Sequence, residues 1–132
     1  MRRISCIDLF CGVGGLTHGF VKEGLPVTAG IDLDPACKFP FEANNGATFV
    51  QKDVSKVTVS EIKQLFGRND ATVLAGCAPC QPFSTYAQRY AGSNHSGKWD
   101  LLYEFGRLAK GALPDVVTME NVPSVERHTV FR

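Results

Sequence analysis

"RISCIDLFCGVGG", residues 3–15, runs from an apolar stretch into a cluster of glycines. The apolar run with Asp8 inside it reads as a buried strand. Gly12, Gly14 and Gly15 read as a tight turn, and Leu16 and Phe20, at helical spacing, belong to a helix that ends near Gly24. The same alternation repeats downstream. "PVTAGID" (26–32) is a second strand, and Asp34-Pro35 opens a second helix that Pro40 is expected to kink or end. "ATFVQKDV" (47–54) is a third strand, and Ser60 is expected to cap a helix carrying Ile62, Leu65 and Phe66 on one face. "ATVLAG" (71–76) is a fourth strand, followed by a polar, aperiodic loop over 84–99. A helix at about 100–110 carries Leu101, Phe105 and Leu108 on one stripe and stops at Gly111 and Pro114. "DVVTMEN" (115–121) is a fifth strand, and the tail from Val122 reads as irregular. Strand and helix alternate throughout, which predicts an α/β fold with a mostly parallel sheet.

A chain of 132 residues fits one domain, and 44% apolar with 20% charged residues is ordinary for a soluble globular one. No apolar run approaches the roughly 20 residues of a membrane helix. The N-terminus carries two arginines, but Asp8 interrupts its short apolar run, so it makes a poor signal peptide and the protein reads as cytosolic, with no membrane partner. Five cysteines, an odd number, fit free thiols in a reducing compartment. A formal net charge of +1 gives no electrostatic footprint for nucleic acid, which counts against a whole DNA-binding protein and less against part of one.

The glycine turn lies where open α/β sheets bind nucleotide-like ligands. The full G-x-G-x-x-G pattern fails, because Thr17 stands where the third glycine belongs. Asp32 ends the second strand, where a carboxylate can accept ribose hydroxyls, and Asp53 follows the third strand beside Val54. Acidic groups at Asp8, Asp32 and Asp53 do not suit a pyrophosphate. They suit a nucleoside ligand that carries positive charge, such as S-adenosylmethionine with its sulfonium. Taken singly, each aspartate reads equally well as a cap or a turn residue.

"GCAPCQPFS" (76–84) holds a C-x-x-C pair, Cys77 and Cys80. A redox dithiol of this kind opens a helix, whereas here Pro82 and a polar loop follow. A zinc site needs a second ligand pair, and neither Cys6, Cys11 and Cys37 nor His18, His95 and His128 offer one at ligand spacing, so no metal is expected. A single working thiol at a strand's carboxyl end is the remaining reading.

"DLFCGVGG" (8–15), "GIDLDP" (30–35), "KDV" (52–54), "GCAPCQPFS" (76–84) and "MENVP" (119–123) resemble, in order and spacing, the motifs of the C5-cytosine-specific DNA methyltransferases. The resemblance covers nearly the whole chain. It implies a Rossmann-like methyltransferase fold, incomplete at about five strands, with S-adenosylmethionine as methyl donor and a cytosine flipped out of double-stranded DNA as acceptor. By the same resemblance Cys80 is the nucleophile, Glu120 the acid at the ring N3, and Cys77 a neighbour that merely packs. Asp8, Phe10, Gly12, Gly14, Gly15, Asp32, Leu33, Asp53, Val54 and Pro79 would hold the cofactor. Gln81, Ser84 and Asn121 would meet the DNA or the flipped base, and the 84–99 loop resembles the family's catalytic loop. The residue types suit the chemistry: C5 of cytosine is too weak a nucleophile until a thiolate adds to C6, and that addition needs an acid at N3.

Family members run much further than residue 132. The resemblance therefore implies that 1–132 is a partial catalytic and cofactor-binding domain, without the target-recognition domain and the last motifs. Such a chain is expected to be inactive without the missing C-terminal half, whether it is a truncated piece, a split subunit with a complementary C-terminal subunit as partner, or a remnant, and to self-associate through the exposed edge at "DVVTM" (115–119). Two other classes stay open: a non-catalytic cofactor-binding or interaction module, and a C-x-x-C thiol redox protein.

Overall fold

A computed structural model of the chain describes residues 3–79, 100–127 and 129. Five strands form one sheet: β1 (Ile4–Leu9), β2 (Val27–Asp32), β3 (Thr48–Gln51), β4 (Ala71–Gly76) and β5 (Val116–Met119), in the order β3-β2-β1-β4-β5. Every pairing is parallel. The helices are α1 (Gly15–Lys22), α2 (Lys38–Asn45), α3 (Val59–Phe66) and α4 (Asp100–Ala112). β1 is the central strand, paired with β4 from Ile4↔Ala71 to Leu9↔Gly76, and it is buried along almost its whole length.

Strand alternation sorts the core. Ile7, Leu9, Ile31 and Leu74 meet Ile62 and Phe66 of α3 and Phe105 and Leu108 of α4 in the main cluster. Position 30 points the opposite way, and a Cβ there would strike Phe41 of α2 and lie 2.7 Å from Cys11 Sγ. Phe41, Phe49, Ala47 and Cys11 form this second cluster, with Phe41 and Phe49 edge to face at 5.7 Å. Burying the main cluster is the chief stabilising term, at ~25 cal/mol per Å² of apolar surface.

Several local expectations are corrected. Pro40 neither kinks nor ends its helix: α2 starts at Lys38, so the missing N–H falls in the first turn, where no intrahelical partner exists. Asp34 is the N-cap and Pro35 the first residue, as expected, but the turn they open is a 3-10 turn, Pro35–Cys37, directly ahead of α2, with Asp34 accepting from the Ala36 N–H. Thr58, not Ser60, caps α3, in a capping box with Glu61. Gly111 lies inside α4, which runs on to Ala112. The tail is not wholly irregular either. Pro123–Arg127 makes a 3-10 turn whose Val125 packs on Ala78 and Leu102. β5 remains an edge strand with Val116 and Val117 exposed by 50% and 49%. Successive residues face opposite sides, so both of its faces are open.

Candidate active site

The chain leaves β1 toward β2 on one side and reaches β4 on the other, so the crevice beyond the ends of β1 and β4 is the switch point of the sheet. A cavity of about 350 Å³ lies there, lined by Asp8, Phe10, Cys11, Gly15, Leu16, Cys77 and Glu120. Asp8, from β1, is only 1% exposed. Its Oδ2 accepts the Thr17 hydroxyl at 2.6 Å, while its Oδ1 has no hydrogen-bond partner among the described residues. Burial pushes the Asp8 carboxyl up to about 6; the Thr17 hydroxyl and backbone N–H pull it back, and the Asp32 charge adds to the rise. An unpartnered buried carboxylate oxygen beside a cavity fits a ligand bearing positive charge or a donor, and it disfavours a phosphate. The residues present therefore fit a ligand that brings a positively charged end to Asp8.

Glu120 follows β5, and its N–H bonds to the Gly76 carbonyl at 3.0 Å. The Cys77 thiol donates to Glu120 Oε2 at 2.9 Å, so Cys77 does more than pack. Asn121 donates from Nδ2 to the Ala78 carbonyl at 3.2 Å and accepts the Val122 N–H on Oδ1 at 2.8 Å. Its amide thereby ties the end of β5 to the segment leading out of β4. Cys11 is a poor nucleophile: burial, then the charges of Asp8 and Asp32, push its thiol far above the ordinary thiol range.

The glycine turn is held from the neighbouring strand. Asp32 Oδ2 accepts the Gly12 N–H at 2.9 Å, and its Oδ1 accepts the Asp34 N–H at 3.0 Å. Gly14 caps α1 with φ +91°, and a Cβ there would strike Asn45 and Phe41, so both backbone and space require glycine. Leu33, 63% exposed, presents an aliphatic surface beyond β2. Asp53 caps the 3-10 turn Val54–Lys56; the Ser55 hydroxyl and N–H both reach it and lower its carboxyl. Val54 turns its side chain into the main core, so only its backbone is left for a ligand. Arg107 of α4 donates to the Val57 carbonyl at 2.8 Å and more weakly to that of Val54, locking this turn to the helix.

The structure thus gathers Asp8, Phe10, Gly15 and Glu120 around one cavity and joins Gly12 to Asp32 by a hydrogen bond. Asp53, Val54 and Leu33 follow the ends of β3 and β2, and Pro79 is half-buried beyond β4. Cys80, Gln81, Ser84 and the 84–99 loop lie outside the described residues. The sequence named Thr17 and Cys77 but not their partners, Asp8 and Glu120. Thr17 is the residue that breaks the glycine pattern, and its hydroxyl is what Asp8 needs. Among the described residues no group of three His, Cys, Asp or Glu side chains is placed to hold a metal ion, and no helix is long and apolar enough to cross a membrane.

Comparison with known proteins agrees with this geometry. The family model for C-5 cytosine-specific DNA methylases matches residues 4–130. The type II methylase M.HgiDII of Herpetosiphon aurantiacus is 51% identical over 121 residues, covering 92% of this chain and 33% of that protein. The type II methyltransferase M.XorII of Xanthomonas oryzae pv. oryzae is 33% identical, covering 99% of this chain and 31% of the relative. The crystal structure of the S. pombe Dnmt2 methyltransferase shares the fold, with a TM-score of 0.73 at 19% identity over 98% of this chain and 37% of that one. The chain spans about a third of the length of these curated relatives. With a family match over 4–130 and a Rossmann-like all-parallel sheet, the chain belongs to the C-5 cytosine-specific DNA methylase family.

Proposed function

We propose that this chain is the cofactor-binding and thiol-bearing part of a cytosolic DNA (cytosine-5)-methyltransferase of the type II modification class. The observation that carries the reading is the cavity where buried Asp8, with an unpartnered oxygen, and Glu120 lie on the two sides of the switch point. S-adenosylmethionine supplies an electrophilic methyl group when bound. Asp8 would face its positive charge, Asp32 and Leu33 would serve the ribose and adenine, and the Asp53 carboxylate with the Val54 backbone would serve the adenine edge. Phe10, the turn glycines and Pro79 complete the pocket.

Catalysis starts from the Cys80 thiolate, which follows Pro79 in the chain. Its sulfur bonds to C6 of a flipped cytosine, the C5–C6 electron pair moves to C5, and Glu120 delivers a proton to N3. C5 thereby becomes the carbon nucleophile for the methyl group. Solvent then takes the C5 proton, the C5–H electron pair re-forms the C5–C6 double bond as the S–C6 bond breaks, and the N3 proton returns to Glu120, so that the ring, the Cys80 thiolate and the Glu120 carboxyl are restored. Gln81, Ser84 and Asn121 serve the DNA side. Residues 1–132 are one part of the catalytic domain, and turnover on double-stranded DNA requires a C-terminal part or subunit that supplies target recognition.

Isothermal calorimetry on the chain tests the cofactor half. S-adenosylmethionine is expected to bind at micromolar affinity or weaker, ~8 kcal/mol or less. A strong preference for NAD, or no binding of S-adenosylmethionine at millimolar concentration, contradicts the reading.

A further inference from the structure

We propose that Cys77 is a positioning residue whose thiol holds the Glu120 carboxyl at the cavity. This rests on the reading of Glu120 as the group that protonates the target ring. The sheet register brings the pair together. β4 and β5 pair in parallel from Val73↔Val116 to Gly76↔Met119, so the next residues on each strand are Cys77 and Glu120. The Glu120 N–H to Gly76 carbonyl bond extends that ladder one step, and the thiol donates to Oε2 at 2.9 Å. Both side chains line the same cavity as buried Asp8 with its unpartnered oxygen.

The chemistry of the donor matters. Glu120 is exposed, and a free glutamate loses entropy when it must point one way. A lysine or arginine in this place would fix it as a carboxylate through a charge-assisted bond. A thiol is a weak, neutral donor, which orients the carboxyl and leaves it able to exchange a proton with a base. An alanine in its place keeps the backbone and removes the hold, whereas a serine retains a donor.

Two experiments test this. In the chain itself, alkylation of Cys77 by iodoacetamide is followed by peptide mass spectrometry across pH 7–9. The thiolate must form beside Glu120, so Glu120→Gln is expected to speed alkylation by about threefold, the order of one unit charge nearby in a water-like medium. Equal rates overturn the contact. In the chain joined to the C-terminal part of the Herpetosiphon relative, Cys77→Ala is expected to lower kcat by about tenfold with KM for cofactor and DNA unchanged, as misplacement of one catalytic group does. Cys77→Ser is expected to restore most of the loss, and equal melting temperatures for all three proteins exclude a folding defect. Unchanged kcat in Cys77→Ala, or a serine variant as slow as the alanine one, refutes the positioning role. Glu120→Gln separates the two ideas. If it methylates normally, the role given to Glu120 fails; if it is inactive while Cys77→Ala is normal, only the role of Cys77 fails.

Discussion

Replacing Asp8 with asparagine tests the site through the stability of the fold. Burial raises the Asp8 carboxyl from an ordinary 3.8 to about 6. The folded chain thus holds this proton more tightly than the unfolded one, and stability falls as pH rises through that window. At ~1.4 kcal/mol per pH unit, the fold is ~3 kcal/mol less stable at pH 7 than in acid, and ~1 kcal/mol less stable at pH 4.5, where the unfolded chain has ionised while the folded chain is still protonated. Asparagine cannot ionise. It keeps an oxygen for the Thr17 hydroxyl and buries an amide where Oδ1 had no partner, a cost of ~1–3 kcal/mol that does not depend on pH. That cost cancels when stabilities are compared at two pH values. Urea denaturation followed by circular dichroism should show the stability of Asp8→Asn relative to the parent rising by ~2 kcal/mol between pH 4.5 and pH 7. The same variant should bind S-adenosylmethionine at least about tenfold more weakly, since one lost charge contact is worth ~1.4 kcal/mol or more. A stability difference that stays flat with pH refutes the picture of a buried, under-partnered carboxylate held for a cationic ligand.

Gly111→Ala sets two effects against each other. Alanine gains ~1 kcal/mol of helix propensity, but its Cβ would strike Val59 where α4 crosses α3, and overpacking costs ~1–3 kcal/mol. A net loss of ~1 kcal/mol in urea denaturation is expected, and a stabilised variant would mean that the two helices are further apart. The β5 edge predicts concentration-dependent self-association, because Val116 and Val117 are half exposed on opposite faces of an edge strand paired only with β4 among the described residues. Light scattering across a dilution series reads it, Val117→Lys should suppress it, and a monomer at every concentration refutes it.

The parallel architecture was legible because each strand is a short apolar run bounded by Gly, Pro or Asp, and because the helices between them are amphipathic. The α3 cap is legible too, at Thr58 rather than Ser60: Thr58 has a glutamate three residues on, whereas Ser60 has Lys63 there. Pro40 misled because a proline is read as a breaker unless the helix start is known, and that start depends on the preceding 3-10 turn. Thr17 breaks the glycine pattern, and nothing local in the sequence says what its hydroxyl serves. Its role appears only once α1 is seated over Asp8, with Thr17 two residues past the glycine cluster in the first turn of the helix. Cys77 was beyond sequence reasoning for a different reason: its partner is 43 residues away and is set by the β4–β5 register. Asp32 was found as an acidic strand end, but its bonds to the Gly12 and Asp34 N–H groups show it also builds the turn it was expected only to flank.

The most direct test of cytosine methylation through Cys80 is to trap the adduct on DNA carrying 5-fluorocytosine. After methyl transfer the ring must lose the C5 substituent as a cation to release the thiol, and fluorine cannot leave that way. The chain joined to the C-terminal part of the Herpetosiphon relative, incubated with this DNA and S-adenosylmethionine, should give a protein–DNA complex that survives denaturing electrophoresis and maps to Cys80. Cys80→Ser should give none and Cys77→Ser should still give it. No stable complex from a protein that binds the cofactor, or an adduct that maps to Cys77, contradicts the mechanism.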